Sequence, residues 1–400
     1  MRVLTVQEQL QERVDVALRA VLPDEPAVSP AALRVVPATN PQFGDYQFNG
    51  ALPLAKSQKT NPRALAQQLV DKLNVAGLCE SPEIAGPGFI NFRLTREFLE
   101  KQTAEVLADP RLGVPETTQP RTIIVDFSAP NVAKPMHVGH IRSTILGACL
   151  ARLLRFAGHE VVTDNHIGDW GTQFGKLIVG WKRHLDEESL ARDPIAEMER
   201  LYRLVNAQSE TDEAVADEAR AEVARLQAGD AENAAIWQKL RELSQSQFDA
   251  IYGRLNVEFD ETLGESFYND SLPEVVRDLQ ARGLAQESEG AIVVPFDQPP
   301  QLTDKPMLVR KRDGAFNYAT TDLATLLYRV ERWQPDEVLY VVDARQSLHF
   351  QQLFEVARRL GLDDVVLRHI KFGAILGPDG TPIKTRSGET IKLLDLLDEA

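Results

Sequence analysis

The chain has 400 residues, 43% hydrophobic and 26% charged, with 44 basic against 59 acidic side chains for a net charge of −15. Such a composition suits a globular chain of two or three domains and excludes a collagen-like or largely disordered polymer. Two cysteines, Cys79 and Cys149, rule out a disulfide framework and a zinc site built on cysteine.

Residues 4–22 set Val6, Leu10, Val14, Leu18 and Val21 at helical spacing, which predicts an amphipathic helix rather than a signal peptide. No apolar run nears the roughly 18–20 residues of a membrane-spanning helix, so the cytoplasm is the expected location and no membrane partner is expected. Leu33-Arg34-Val35-Val36 and Phe89-Ile90-Asn91-Phe92 read as strands, and 62–77 as a helix after Asn61-Pro62. Pro110, Gly113, Pro115 and Pro120 mark a linker that closes an N-terminal α+β domain at 1–115. Thr122-Ile123-Ile124-Val125-Asp126-Phe127 is then a run of the kind buried in parallel sheets. A helix over 138–157 ends at Gly158, Glu160-Val161-Val162-Thr163 forms a second strand, and another helix starts near 172. This order predicts an α/β fold with a parallel sheet. Residues 185–252 predict two or three helices, with the acid-rich stretch from Glu210 to Glu232 as a solvated face. Strand-like runs return at Ala291-Ile292-Val293-Val294 and Met307-Leu308-Val309-Arg310, then 337–342 and 366–372 flank a helix at 347–360. The expected division is 1–115, a first half of the core at 116–182, a mainly helical insertion at 183–290, and a second half at 291–400.

His137-Val138-Gly139-His140 stands between the buried strand and its helix. A helix start collects unpaired N–H groups and positive partial charge, which favour a phosphate. Gly139 permits close backbone approach, and two imidazoles can donate to charge developing on pentavalent phosphorus. The plainer reading makes both histidines caps or core residues. Around them, Phe127-Ser128-Ala129-Pro130-Asn131-Val132-Ala133-Lys134-Pro135-Met136-His137-Val138-Gly139-His140-Ile141-Arg142-Ser143-Thr144-Ile145 resembles the signature of arginyl-tRNA synthetases, which are class I aminoacyl-tRNA synthetases. So does His166-Ile167-Gly168-Asp169-Trp170-Gly171-Thr172-Gln173-Phe174-Gly175, while Phe43-Gly44-Asp45-Tyr46-Gln47 and Gly86-Pro87-Gly88-Phe89-Ile90-Asn91 resemble that family's additional N-terminal domain. The resemblance implies a class I Rossmann catalytic core split by a helical insertion, and an N-terminal domain that touches the tRNA elbow. It also implies ATP-dependent activation of L-arginine and transfer to the 3′ end of tRNA(Arg), by a monomer. Magnesium would arrive on the ATP phosphates, with no protein-cage metal.

A guanidinium is planar, carries five donors and suits a carboxylate. Tyr318 and Asp322 are four apart and share a face if they lie on a helix, and the resemblance assigns both to guanidinium recognition. Asp126 and Asn131, at the crevice end of the first strand, are candidates for the substrate ammonium. The resemblance sets Gln346 near arginine, His349 near adenosine, and His166, Gly168 and Asp169 near substrate or nucleotide; Gly139 belongs with the ATP-binding histidines. In place of the mobile K-M-S-K-S signature the chain has Pro382-Ile383-Lys384-Thr385-Arg386-Ser387-Gly388. Lys134, together with Lys384 and Arg386, is therefore expected to supply the charge that meets the phosphates.

Family members continue for roughly 180 residues as an anticodon-binding domain. Leu393-Leu394-Asp395-Leu396-Leu397-Asp398-Glu399-Ala400 reads as mid-helix, so a fragment lacking that domain is expected. Two alternatives are another H-x-G-H nucleotidyltransferase, indifferent to arginine, and a synthetase-like tRNA- or protein-binding module with impaired catalysis. A Rossmann oxidoreductase fails because no G-x-G-x-x-G follows a strand.

Overall fold

The computed structural model describes residues 4–23, 28–373 and 393–399. It divides into two units, Met1–Glu116 and Thr117–Ala400. In the first, Thr5 and Glu8 form a reciprocal capping box that opens α1 (Val6–Val21), and the helix buries Leu10, Val14, Ala17 and Leu18. The chain continues through β1 (Val35–Pro37), β2 (Tyr46–Phe48), α2 (Ala51–Gln58), α3 (Pro62–Lys72), β3 (Glu83–Ala85), β4 (Phe89–Phe92) and α4 (Arg96–Ala108). The strands form an antiparallel sheet in the order β1-β2-β4-β3. Its core joins Phe48, Ile90 and Phe92 to Leu54, Leu65 and Leu69 of the helices. Leu33, read as strand, sits instead in a 3-10 turn that Pro30 opens. Asn61 caps α3 as its position suggested, but the helix ends at Lys72 where Leu73 turns extended.

The second unit opens with β5 (Thr122–Asp126), α5 (Val138–Phe156), β6 (Glu160–Asp164) and α6 (Gln173–His184). Four helices follow: α7 (Glu187–Arg192), α8 (Pro194–Thr211), α9 (Glu213–Gln227) and α10 (Ala231–Leu255). The two or three helices expected here undercount them. Each break is made by a capping aspartate (Asp186, Asp193, Asp212 or Asp230) whose carboxylate accepts a first-turn N–H. Glu222, inside the acid-rich stretch, is buried and paired with Lys182 at 2.9 Å, so that stretch is not wholly a solvated face.

After α11 (Leu272–Ala281), β7 (Gln286–Ser288), β8 (Ala291–Val294) and β9 (Met307–Arg310) pair as a separate antiparallel sheet. The runs at 291 and 307 are thus strands, but outside the parallel sheet; short apolar runs look alike in both settings. α12 (Tyr318–Trp333), β10 (Glu337–Tyr340), α13 (Ser347–Arg359), β11 (Val366–His369) and α14 (Leu393–Glu399) complete the described elements. The parallel sheet has the order β11-β10-β5-β6. Along β5, Ile123 and Val125 face a cluster with α5, α6 and α10, while Ile124 faces a cluster with α11, α12 and α13. The chain leaves β5 toward β6 on one side and returns to β10 on the other. That reversal opens a crevice beyond the C-terminal ends of β5 and β10, where open α/β sheets take ligands.

Candidate active site

The loop from β5 to α5 holds Ser128, Ala129 and Ala133 in the left-handed region, with φ of 74°, 48° and 60°. Each costs about 1–3 kcal/mol and persists only where surrounding groups over-determine it. Those groups are side chains: Ser128 N–H donates to Ser143 Oγ at 2.9 Å, Ala129 N–H to Asn165 Oδ1 at 3.1 Å, and Ala133 N–H to Ser244 Oγ at 2.9 Å. The loop after β6 is laced to it, with Gly168 N–H donating to Pro130 O and Val132 N–H to Gly168 O, both at 3.0 Å. A Cβ on Gly168 would overlap the Asn131 carboxamide, so close approach demands glycine there. Asn131 and Lys134 are exposed, and Lys134 Nζ lies 5.6 Å from the Tyr202 ring centroid on α8.

His137 is the N-cap of α5. Its Nδ1 accepts the Gly139 N–H, and His140 Nδ1 accepts the His137 N–H, both at 3.0 Å. A ring nitrogen that accepts an N–H carries no proton, so in both neutral rings the proton sits on Nε2. Burial holds both histidines below their ordinary range, His140 at about 3, where the neighbouring His137 adds to the effect. The motif is therefore a cap, as the plainer reading has it, and also a pair of neutral N–H donors at a helix N-terminus. A Cβ on Gly139 would meet the His137 ring at 2.8 Å.

Toward α12, Tyr318 and Asp322 do lie one helical turn apart. Tyr318 is 61% exposed and sits edge-on to His349, with ring centroids 5.0 Å apart. His349 Nε2–H donates to Asp322 Oδ2 at 2.5 Å. Asp322 Oδ1 stands 3.7 Å from His166 Nε2. His166 Nδ1 donates to Leu263 O at 3.1 Å, and its Nε2 is buried without a hydrogen-bond partner. Burial alone would raise the Asp322 carboxyl, but the His349 hydrogen bond and the fields of His349, His166 and Arg329 hold it below the usual carboxylate range.

A further carboxylate within the field of His166 and Asp322, Glu265, escaped the sequence reading. It lies in a turn pinned by Asp169, whose oxygens accept Ser266 N–H at 2.8 Å and Ser266 Oγ–H at 2.7 Å. Burial pushes the Glu265 carboxyl up to about 7, with His166 opposing and Asp322 and Asp169 reinforcing the push. Nothing in Leu263-Gly264-Glu265-Ser266 distinguishes it from an ordinary acidic residue at a helix start.

Three of the expected residues have partners within the protein. Asp126 falls on the α12 face of β5, its side chain is 9% exposed, and its Oδ2 takes Arg329 Nη2 at 2.6 Å. The fully buried Arg329 also donates to Asp164 Oδ2, from Nε at 3.1 Å and Nη2 at 2.8 Å. Asp169, expected near nucleotide, is 0% exposed and internally satisfied, with Arg241 Nε 2.9 Å from its Oδ2. His349, expected near adenosine, belongs with Asp322 and Tyr318. Gln346 is exposed in the turn Ala344–Gln346 after β10. Lys384 and Arg386 lie outside the described residues.

Residues 102–400 match the family described as tRNA synthetases class I (R), catalytic domain, and 8–94 that described as arginyl tRNA synthetase N terminal domain. An arginine–tRNA ligase of Nostoc sp. is 48% identical, covering 98% of this chain and 68% of its own length; one of Rhodopirellula baltica is 43% identical, covering 98% and 70%. The arginyl-tRNA synthetase structure from Plasmodium falciparum aligns with a TM-score of 0.72 at 26% identity, over 98% of this chain and 67% of that one. On matches of this identity and extent, the chain belongs to the arginyl-tRNA synthetase family, whose motifs it carries from Phe43 to Asp322.

Proposed function

We propose that the protein activates L-arginine with ATP to arginyl-adenylate and transfers the arginine to the 3′ end of tRNA(Arg). The observation that carries this reading is the slot around Asp322, a carboxylate held by His349 on one oxygen, with the buried, unpartnered Nε2 of His166 3.7 Å from the other. A guanidinium supplies donors in one plane, and a cation there also favours ionised Glu265. Tyr318 walls the slot, while Asn131 and Gln346 meet the ammonium and carboxylate end.

ATP enters as its magnesium complex, with the metal held by the phosphates. Its α-phosphate lies at the start of α5, where His137 and His140 donate from Nε2–H. The arginine carboxylate attacks the α-phosphorus, the bond to the pyrophosphate oxygen breaks, and charge building on the phosphoryl oxygens meets donors already in place. The nucleophile is already ionised, so this step needs no general base. Lys134, Lys384 and Arg386 neutralise the departing pyrophosphate. The 3′-terminal ribose hydroxyl of the tRNA then displaces AMP. The free cysteines Cys79 and Cys149 support a reducing cytoplasm. Among the described residues no helix is long and apolar enough to cross a membrane.

The test is arginine-dependent release of pyrophosphate from ATP in the presence of tRNA. The wild-type chain should release it, and His140→Ala should be slower by roughly 100- to 1000-fold. A wild-type protein that binds arginine yet releases no pyrophosphate would instead establish the non-catalytic module.

A further inference from the structure

Helix α10 belongs to the helical insertion, yet one of its faces reaches both loops of the crevice. Trp237 Nε1–H donates to Asp169 O at 2.8 Å, and Arg241 pairs with the Asp169 carboxylate. One turn further on, Ser244 Oγ accepts the Ala133 N–H, and two turns beyond that the Tyr252 hydroxyl lies 2.8 Å from Ser128 Oγ. Residues 237, 241, 244 and 252 fall on one stripe of a helix.

The donors along the Tyr252 branch have only one consistent arrangement. Thr144 Oγ1–H donates to His140 O at 2.9 Å, so at the 2.9 Å contact between Ser128 Oγ and Thr144 Oγ1 the hydrogen must come from Ser128. Tyr252 must then donate to Ser128, and its own oxygen accepts Asn165 Nδ2–H at 3.1 Å. The remaining Asn165 atom, Oδ1, accepts the Ala129 N–H. A directed chain thus runs from Asn165 through Tyr252, Ser128 and Thr144 to the carbonyl of His140. All of it is buried, and it ends on the first turn of the helix that carries both histidines. Ser244 likewise spends its hydroxyl hydrogen on Leu240 O at 2.8 Å, which leaves its lone pairs for Ala133.

We propose that Tyr252 and Ser244 are positioning residues for adenylate formation. They hold Ser128, Ala129 and Ala133 in left-handed backbone, and so aim Asn131, Lys134 and His137 at the substrates. Ala133 directly precedes Lys134, so its φ of 60° sets where the lysine leaves the chain. Tyr252 touches no substrate and acts through Ser128. The inference rests on the proposed activity for its kinetic readout alone, because the loop geometry can be followed without it.

The experiment compares Tyr252→Phe, Ser244→Ala and Ser244→Thr with the wild-type chain in three measurements. Pyrophosphate release at saturating arginine and ATP should fall about 10- to 100-fold in the first two variants, the scale expected for a misplacement near 1 Å, and recover in Ser244→Thr. Discrimination between arginine and citrulline in binding should stay at the wild-type value, because the slot at Asp322 lies outside the network. Hydrogen exchange in peptides spanning 127–137 should speed about tenfold or more in Ser244→Ala, which frees the Ala133 amide. Wild-type rates in both hydroxyl-deleted variants would overturn the proposal. So would a loss that tracks equally with arginine–citrulline discrimination and melting temperature, the mark of a merely structural role. If the wild-type chain itself releases no pyrophosphate, the proposed function fails and the catalytic part of the inference is overturned with it, while exchange still tests the loop: unchanged protection in Ser244→Ala overturns its holding role as well.

Discussion

The two flanks of the crevice are built on opposite principles. On the α12 side, the groups of the proposed slot sit on ordinary backbone: Tyr318, Asp322 and His349 hold one another, His166 Nε2 stands 3.7 Å from Asp322, and Glu265 lies within their field. On the α5 side, Asn131, Lys134 and His137 are carried by a loop strained at Ser128, Ala129 and Ala133, whose supports come from elsewhere, Ser143 and Thr144 on α5, Asn165 after β6, Ser244 and Tyr252 on α10. A slot for a cation needs charge more than exact backbone placement. A phosphoryl-transfer site needs donors fixed before charge develops, since reorganising them later would forfeit their effect.

The largest expected effect tests how the acidic flank tolerates its own charge. Arg329→Met leaves Asp126 and Asp164 buried without their cation, which should destabilise the second unit by about 3–5 kcal/mol. A thermal melt should show a drop of several degrees or more, whereas an unchanged melting temperature would mean that the pair contributes nothing net. A smaller effect should follow where the two crevice loops meet. Gly168→Ala drives a methyl into the Asn131 carboxamide, a cost of roughly 1–3 kcal/mol, and should weaken arginine binding as the β5–α5 loop shifts. Arginine affinity equal to wild type in that variant would separate Asn131 from the ammonium.

The mildest effect is a pH dependence confined to the α12 side. With the Glu265 carboxyl raised to about 7, a bound guanidinium favours its ionised form, so binding expels a proton. Affinity for arginine should rise with pH up to about 7, by at most about tenfold per unit, and level off above it; Glu265→Gln should flatten the profile. Stability of the free protein carries the opposite sign. The native state holds this proton more tightly than the unfolded chain, so the contribution is fully present below the ordinary carboxylate range and is lost as pH rises through about 7. Titration calorimetry at pH 6 and 8, in buffers that differ in ionisation heat, reads the proton directly.

Much of the second unit was legible because local patterns coincide with tertiary needs. The run at 122–127 alternates between two buried faces, Gly158 ends α5 with φ of 91°, and Tyr318 with Asp322 needed only helical spacing to be paired. The histidine motif was legible for a related reason, since a helix start limits what its residues can do. The arginine partners of Asp126 and Asp169 were not legible, because a carboxylate at or after a strand end looks the same whatever it pairs with. The partners that decide, Arg329 and Arg241, are distant in sequence. Glu265, Ser244 and Tyr252 were invisible for that same reason: each matters through a contact about 100 residues away in the chain, and no spacing rule reaches that far.

The most direct test of the account is calorimetric titration of the chain with L-arginine and with L-citrulline, its uncharged near-isostere, for the wild-type protein and Asp322→Asn. The account predicts that arginine binds the wild-type protein, and that citrulline, or loss of the Asp322 charge, weakens binding by roughly 100-fold, the scale of a buried charge-assisted hydrogen-bonded pair. Equal affinity for arginine and citrulline, or arginine affinity in Asp322→Asn equal to that of the wild type, would contradict it.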